Sequence, residues 1–413
     1  MNYNISYKTI KKIKIGTFTY FLENGGRSRI TSFLLNYLNK EKIFNLYLFT
    51  IKNKNDNEYL IEENIKRILI NNYTINILIK CLLKKRINIF IYQFSYSNEI
   101  IALNKLKNIK IIHYQHQSLF FWIYSNYTIF KSLYKSYKNS KNIVSLIHLE
   151  NDYIFEKWGI KSVLMNNFIT YEYNTSIPID LYYKTILMMG RADDKFKRFE
   201  LGIQAMEYII EEIPQVVMKI ITNITHIEYL KNIINDLNLE NNIEFYGYTP
   251  IPENYFKYIS LNIITSISES FSLVLSETKI YGIPNILLGL DYISTANDGS
   301  IIIFDDSPES IAKESIKLLI NYCYRKKLGK EARKSMKKFE NKILLKKWIK
   351  LILYIYYNNE YYALFRKSDK KIPEKKALIL LKNQIILIKK RIKNLKNITL
   401  NDVKNFSYME NII

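Results

Sequence analysis

The sequence has 413 residues, which is too many for one ordinary hydrophobic core and fits two domains of ordinary size. Its two cysteines, Cys81 and Cys323, are too few for a disulfide framework or a metal cluster, and no run of about 18 apolar residues is available to span a bilayer. The formal net charge of +23 favours an anionic partner such as nucleic acid, phospholipid or a phosphorylated substrate, although a composition rich in Lys, Asn and Ile also fits an A+T-biased genome.

Strand and helix patterns alternate through the first half of the chain. Strands are predicted at 12–19, 44–51, 88–94 and 109–113, helices at 28–38, 64–85 and up to about 107, and two further strands around a helix at 140–167. This alternation predicts a parallel sheet whose binding loops lie at the carboxyl ends of the strands. The loop after the first strand contains Gly25 and Gly26, and glycine lets the backbone approach a ligand closely. The dinucleotide fingerprint G-x-G-x-x-G is absent from this loop, which argues against NAD.

The second half repeats the alternation after a polar segment, 168–183, which is predicted to be an interdomain linker. Strands are predicted at 185–189, 216–222, 243–248, 261–265 and 301–304, and helices at 199–211, 227–238, from 270 to Gly282, and at 308–322. Pro284 follows Gly282, as expected beyond the end of a helix. A second parallel sheet follows from this pattern.

Two glutamates mark the strand-turn-helix element at 261–284. Glu269 lies in the turn and Glu277 lies two turns into the helix. The helix N-terminus presents unpaired N–H groups and a partial positive charge, which suit a phosphate, whereas carboxylates accept hydrogen bonds from vicinal hydroxyls. The combination indicates a sugar nucleotide. The alternative is that both glutamates simply belong to a solvated helix face.

Two other loops carry candidate site residues. Arg191 and Lys197 follow the strand at 185–189 and form a cationic loop that suits a diphosphate, or alternatively an ordinary surface cluster. His113 and His116 fall at the end of the strand at 109–113, where a neutral imidazole can bond a sugar hydroxyl. The alternative is a histidine satisfied within the protein.

These motifs resemble the signature of retaining glycosyltransferases of family 4, also called glycosyl transferases group 1. The pattern Glu-x7-Glu followed by Gly and Pro corresponds to Glu269, Glu277, Gly282 and Pro284, and the Gly-Arg pair begins at Gly190. The resemblance covers about residues 12–340. The sequence departs from the family pattern at Arg198, where the family has glycine. Lys195 is therefore an alternative to Lys197 as the counterpart of the lysine in the family motif.

The resemblance implies a role for each matching residue. Glu269 would lie against the donor sugar, Glu277 would hold the ribose hydroxyls, and His116 would contact the sugar. The diphosphate would be bound by two side chains, by a glycine loop and by backbone amides: Arg191, Lys197, Gly25, Gly26, Phe271, Ser272 and Leu273. The turn at Tyr248 would hold the base, and no metal is expected because no Asp-x-Asp triplet occurs.

The fold implied is α/β, with two Rossmann-like domains facing a cleft (GT-B) and a C-terminal helical extension. The expected boundaries are 1–170 for an acceptor-side domain, 184–340 for a donor domain, and 341–413 for a crossing helix and a basic tail. The function implied is retaining, metal-independent transfer from a nucleotide-diphosphate sugar, here a UDP-sugar, to a glycan or lipid-linked acceptor. Cell-surface polysaccharide or lipopolysaccharide assembly is the implied setting. The nucleotide-sugar is a substrate, so no cofactor is expected.

The tail at 375–396 is a basic amphipathic pattern with apolar residues at intervals of three and four. It fits an anionic membrane surface, a partner helix or the surface of the protein itself. The expected location is cytoplasmic, with attachment to the inner face of the plasma membrane if the tail binds lipid. The competing function is a basic protein that binds nucleic acid or membrane on a catalytically silent GT-B scaffold; no nucleic-acid motif supports it.

Overall fold

A computed structural model describes residues 12–357, except 24, 55–57, 95, 117, 120–126, 170–181, 193–195, 250 and 290–297, and describes only the backbone of 127–129 and 226. The first sheet has seven parallel strands in the order β3-β2-β1-β4-β5-β6-β7. They are β1 (Ile13–Phe18), β2 (Phe44–Thr50), β3 (Lys66–Leu69), β4 (Ile89–Tyr92), β5 (Lys110–Tyr114), β6 (Asn142–Ser145) and β7 (Val163–Leu164). Its helices are α1 (Gly26–Asn39), α2 (Ile75–Lys84), α3 (Ser97–Asn104), α4 (Tyr127–Asn139) and α5 (His148–Trp158).

The second sheet has six parallel strands in the order β10-β9-β8-β11-β12-β13. They are β8 (Thr185–Met189), β9 (Val217–Ile221), β10 (Ile243–Tyr246), β11 (Leu261–Ile264), β12 (Asn285–Leu288) and β13 (Ser300–Ile303). The helices that follow these strands are α6 (Phe199–Glu212), α7 (Glu228–Asp236), α8 (Leu273–Ile280), α9 (Pro308–Ile320), α10 (Tyr322–Ser335) and α11 (Asn341–Tyr357). Both sheets are doubly wound, so the predicted α/β GT-B architecture is confirmed.

Each sheet has one topological switch point, where successive connections leave in opposite directions. It lies between β1 and β4 in the first sheet and between β8 and β11 in the second. In open α/β sheets a ligand binds in the crevice beyond the carboxyl ends of the strands at this point. The loop containing Gly25 and Gly26 follows β1, whereas the loops containing Arg191 and Glu269 follow β8 and β11. The chain order therefore places the predicted motifs at the two switch points.

One predicted helix is wrong at its beginning. The region 64–85 was expected to be helical, but residues 66–69 form β3, which pairs in parallel with β2 from Tyr47–Lys66 to Thr50–Leu69. Only the later part is helical, as α2, whose first turn is capped by the side chain of Thr74. β3 is an edge strand with no fully buried residue, so its four-residue sequence lacks the continuous apolar run of the central strands.

Helix α11 contacts residues of the first half of the chain. Asn341 donates from Nδ2 to the Ile169 carbonyl at 2.8 Å and accepts from the Ile169 amide at 2.9 Å. Trp348 is fully buried and its ring meets the edge of Tyr114 at a centroid distance of 5.1 Å. Apolar residues of α11, α8 and facing sides of both sheets form one continuous core cluster. The tail at 375–396 and most of the linker lie outside the described residues.

Among the described residues, no helix combines the length and apolar character needed to cross a membrane.

Candidate functional site

The loops after β8 and β11 are held together by hydrogen bonds. The Ile267 amide donates to the Phe196 carbonyl at 2.8 Å, and the Thr265 hydroxyl donates to the Lys197 carbonyl at 2.7 Å. Because β8 and β11 are paired neighbours, both loops emerge at the same edge of the sheet. The basic and the acidic motif therefore share one rim.

Arg198 stabilises this rim through its side-chain contacts. Its backbone is left-handed, with φ 48° and ψ 51°, which explains why the resembled family has glycine at this position. Its side chain is committed to structure, since Nε donates to the Thr265 carbonyl at 2.9 Å and Nη1 lies 2.8 Å from Asp306 Oδ2. Lys197, rather than Arg198, is thus the cation turned toward the acidic motif. Lys195 lies outside the described residues.

Lys197 and Glu269 are in direct contact. The Lys197 ammonium donates to Glu269 Oε1, which also accepts from the Ser266 hydroxyl at 2.9 Å. Both side chains are partly exposed, and they line a hollow whose floor is formed by the ends of β8 and β11. Arg191 begins the same loop and is exposed. This arrangement puts an ammonium group and a carboxylate at one opening, with Arg191 earlier in the same loop.

The N-terminus of α8 faces the same opening. Ser272 caps the helix by accepting from the Leu275 amide, and the Phe271 ring packs against Phe339, away from solvent. What Phe271, Ser272 and Leu273 offer a ligand is therefore their backbone. Across the cleft, a Cβ placed on Gly26 would lie 3.3 Å from Leu273 Cδ1, so the glycine loop reaches the first turn of α8. Gly25 adopts φ +100°, a conformation that favours glycine.

Glu277 is not on a solvated helix face. Its side chain is 1% exposed and lies 2.7 Å from Arg29 Nη1 in α1 of the first sheet, whose own side chain is 11% exposed. The Arg29 guanidinium also lies over the Tyr59 ring at 5.9 Å. The carboxylate predicted to hold a ribose is thus joined to the other half of the molecule by a buried ion pair.

Tyr248 lies at the same junction. Its hydroxyl group donates to the hydroxyl group of Tyr59 at 2.8 Å, and 40% of the residue is exposed. The predicted base-binding turn is therefore open to solvent and borders Arg29 through Tyr59. A planar base can approach this turn from solvent.

His116 is held by a chain of polar side chains. Its Nε2 lies 2.8 Å from Gln93 Oε1, and Gln93 Nε2 donates to the Thr17 hydroxyl at 2.8 Å. Since Gln93 presents its oxygen, His116 carries its proton on Nε2. Burial, with the nearby charge of Arg27, lowers the pKa of His116 to about 3, so the imidazole is neutral at neutral pH.

The loop after β5 joins the two halves of the site. The Ser270 hydroxyl donates to the His116 carbonyl at 2.7 Å, and the Ser268 hydroxyl donates to the Ser118 hydroxyl at 2.8 Å. The turn that carries Glu269 is thereby tied to the loop that carries His116. These links place His116 across the cleft from the acidic motif.

His113 belongs to the core. It is fully buried, its Nε2 lies 3.0 Å from the Phe94 carbonyl, and burial lowers its pKa to about 4. Its neutral ring is satisfied within the protein. This is the arrangement in which a strand histidine has a structural role.

Sequence reasoning missed three residues of the site, namely Arg27, Arg29 and Gln93. Arg27 and Arg29 lie in the first turns of α1, directly after the glycine loop, and Gln93 follows β4 at the switch point of the first sheet. The sequence feature that could have identified these residues is their position shortly after a strand that borders a switch point. Nothing local indicates that Arg29 pairs with a glutamate 248 positions later.

Within the described part of the chain, no group of three or more His, Cys, Asp or Glu side chains is arranged to hold a metal ion.

Three comparisons relate this geometry to known proteins. The family model described as Glycosyl transferases group 1 matches residues 172–335. A poly(glycerol-phosphate) alpha-glucosyltransferase of Bacillus subtilis (strain 168) is 26% identical over 170 residues, which is 40% of this chain and 25% of that protein. The alignment thus spans a quarter of that relative's length.

Solved structures share the architecture of both halves. Sucrose-phosphate synthase from Thermosynechococcus elongatus superposes with a TM-score of 0.71 at 14% identity, covering 84% of this chain and 99% of that one. HepE of Anabaena, solved in complex with UDP and glucose, superposes with a TM-score of 0.67 at 11% identity, covering 83% and 99%. Residues 172–335 therefore match the glycosyl transferases group 1 family model, and the chain shares the GT-B fold of these solved structures.

Proposed function

We propose that this protein transfers a sugar from a nucleotide-diphosphate sugar to a glycan or lipid-linked acceptor, with retention of anomeric configuration. The observation that carries the proposal is the contact between Lys197 and Glu269 at the switch point of the second sheet. A cation and a carboxylate beside a helix N-terminus suit the two ends of an activated sugar, a diphosphate and a set of hydroxyl groups.

The donor would lie along the loops after β8 and β11. Arg191, Lys197 and the amides at 271–273 would bind the diphosphate, with Gly25 and Gly26 approaching from the other side. Charge develops on the diphosphate as the bond to the anomeric carbon breaks, and preorganised cations and amides stabilise that charge most where water is excluded. In this proposal these groups take the place of a bound metal.

Glu269 and His116 would contact the transferred sugar. Glu269 accepts hydrogen bonds already, from Ser266 and Lys197, and a sugar hydroxyl can replace or join them. The neutral imidazole of His116 can bond a hydroxyl without adding charge beside the departing diphosphate. Glu277 would hold the ribose and Tyr248 the base.

A UDP-sugar is the proposed donor, and the structural relative from Anabaena was solved with UDP and glucose. The name of the Bacillus relative describes glucosyl transfer to a poly(glycerol-phosphate), so cell-surface polymers are the proposed acceptors. We place the acceptor in the domain at 1–170 and the donor in the domain at 184–340. A cytoplasmic protein attached to the inner face of the plasma membrane by its basic tail fits this role.

The competing function is a catalytically silent scaffold that binds nucleic acid or membrane, which the net charge of +23 favours. A thermal-shift panel of UDP, GDP, ADP and their glucose esters separates the two. We expect UDP and UDP-glucose to raise the unfolding temperature, since a ligand at a hundred times its Kd stabilises by about 2.7 kcal/mol. A single-stranded oligonucleotide and anionic vesicles serve as controls. A shift with these controls and with none of the nucleotides would support the scaffold instead.

A further inference from the structure

Aromatic rings cover the carboxyl edge of the first sheet beside the glycine loop. Tyr20 follows β1, Phe94 and Tyr96 follow β4, and Tyr73 precedes α2. Tyr20 meets Phe94 edge-on at 5.0 Å, and Tyr96 stacks on Phe94 at 5.9 Å. We call Tyr20, Tyr73, Phe94 and Tyr96 the tyrosine cluster. Tyr96 is 51% exposed, so the cluster has a face that a ligand can reach.

Arg27 lies on this cluster. Its guanidinium carbon is 4.1 Å from the centre of the Phe94 ring, a cation–π arrangement that fixes its plane. Its Nε is buried and has no hydrogen-bond partner within the described structure. A buried donor without a partner is costly, and a guanidinium presents several donors in a fixed fork that matches phosphate.

Glu99, which accepts from a tyrosine of the cluster, forms no ion pair with Arg27. Glu99 accepts hydrogen bonds from Tyr92 and, at 2.9 Å, from Tyr73. No ion pair within the described residues includes Arg27. The Arg27 guanidinium is therefore not paired with a carboxylate within the described residues.

Arg27 also borders the candidate donor site. Its charge acts on His116, and Arg191 across the cleft acts on Arg27. The Arg27 guanidinium lies over the Phe94 ring, which follows β4, so Arg27 belongs to the first sheet's side of the cleft. A molecule on the tyrosine cluster would thus have its near end beside His116.

We propose that Arg27, Tyr20 and Tyr96 form an acceptor subsite for a phosphate-bearing polyol chain, with the guanidinium bound to the phosphate next to the hydroxyl that receives the sugar. This inference rests on the proposed function, because it assumes that the donor lies at the second sheet. The tyrosine hydroxyls can donate to and accept from polyol hydroxyls, and the exposed ring of Tyr96 offers an apolar face to the carbon chain.

A phosphate could reach Arg27 from the donor diphosphate or from the acceptor, and binding measurements distinguish these sources. The probe is a synthetic glycerol phosphate oligomer, titrated by calorimetry against the full chain with and without saturating UDP. We expect Arg27→Gln to weaken oligomer binding at least about tenfold, as loss of a charge-assisted hydrogen bond should, and to leave the Kd for UDP within about twofold.

Matched variants and a neutral probe sharpen this test. Arg86→Gln makes the same charge change at an exposed position ahead of β4, at the opposite edge of the sheet, and should leave oligomer binding unchanged. An oligomer with methylphosphonate linkages, which are uncharged, should bind the wild type about tenfold more weakly and should not be weakened further by Arg27→Gln. Tyr96→Phe, at a half-exposed residue, should weaken binding of the charged oligomer about threefold.

Two results would overturn the subsite. One is unchanged oligomer affinity in Arg27→Gln and Tyr96→Phe, or no oligomer binding by the wild type. The other is a loss of UDP affinity in Arg27→Gln with oligomer affinity preserved, which would make Arg27 a donor-phosphate residue. Failure of the proposed function would be seen separately, as a wild-type protein that binds no nucleotide.

Discussion

Replacing Lys197 by alanine is expected to lower turnover with a UDP-sugar by a factor of about 10²–10³. The ammonium contacts Glu269 directly and stands at the opening where the diphosphate would leave. In the proposed mechanism it would stabilise the additional charge that develops on the diphosphate as the sugar departs, so kcat should fall more than KM rises. The measurement is steady-state release of UDP, with and without acceptor.

Glu269→Gln should give a loss of similar size, and the two losses should not multiply. Because Lys197 and Glu269 are in direct contact, the effects of the two substitutions on turnover are expected to be non-additive in the double variant. Lys219→Ala is the matched control, since this lysine lies in β9 and is 3.9 Å from its partner Glu244. Normal turnover in Lys197→Ala would remove Lys197 from the diphosphate site and leave Lys195 as the candidate.

Replacing Arg29 by alanine is expected to destabilise the folded protein by about 3–5 kcal/mol. The variant leaves the Glu277 carboxylate, 1% exposed, without the guanidinium that lies 2.7 Å away. Removing one partner of a buried ion pair costs several kcal/mol, and here the change also removes a link between the two sheets. The measurement is the urea midpoint followed by tryptophan fluorescence, together with the Kd for UDP.

Two further variants separate charge from packing at this pair. Lys231→Ala breaks an exposed pair with Glu228 and should change the midpoint very little. The double variant Arg29→Met with Glu277→Leu should regain most of the lost stability, because an apolar pair of similar volume avoids the desolvation cost. It should not regain nucleotide binding. An Arg29→Ala protein as stable as the wild type would show that the ion pair does not join the two halves.

The second half of the candidate site follows closely from local sequence. Gly282 ends α8 with φ +76°, and the helix begins one residue after Ser272, close to the predicted start. Because the strand order is that of a doubly wound sheet, the loops containing Lys197 and Glu269 had to meet at the switch point. The local sequence pattern and the sheet topology were together sufficient to predict this half of the candidate site.

The junction between the halves could not be predicted in the same way. The pair of Arg29 and Glu277 and the hydrogen bond between Tyr59 and Tyr248 join residues far apart in the chain. No periodicity encodes such contacts, which depend on how two separately folded sheets dock. For the same reason β3 was read as helix: its pairing with β2, not its own composition, makes it a strand.

Arg198 illustrates a departure from a motif that the structure accommodates. The family pattern has glycine where the backbone must be left-handed, and this chain keeps that backbone with arginine at φ 48°. Bonds to the Thr265 carbonyl and to Asp306 stabilise the conformation. The departure at Arg198 left Lys195 as an alternative to Lys197 in the sequence analysis, and the structure shows Lys197 in contact with Glu269.

The most direct measurement uses fragments of the donor. We propose that Glu277 and Arg191 bind opposite ends of one nucleotide, so calorimetry with uridine, pyrophosphate and UDP should measure the contribution of each residue separately. Glu277→Ala should weaken uridine and UDP by about tenfold and spare pyrophosphate, whereas Arg191→Ala should weaken pyrophosphate and UDP and spare uridine. If both variants bound all three ligands as tightly as the wild type does, the two motifs would not share a nucleotide and the proposed transferase site would be wrong.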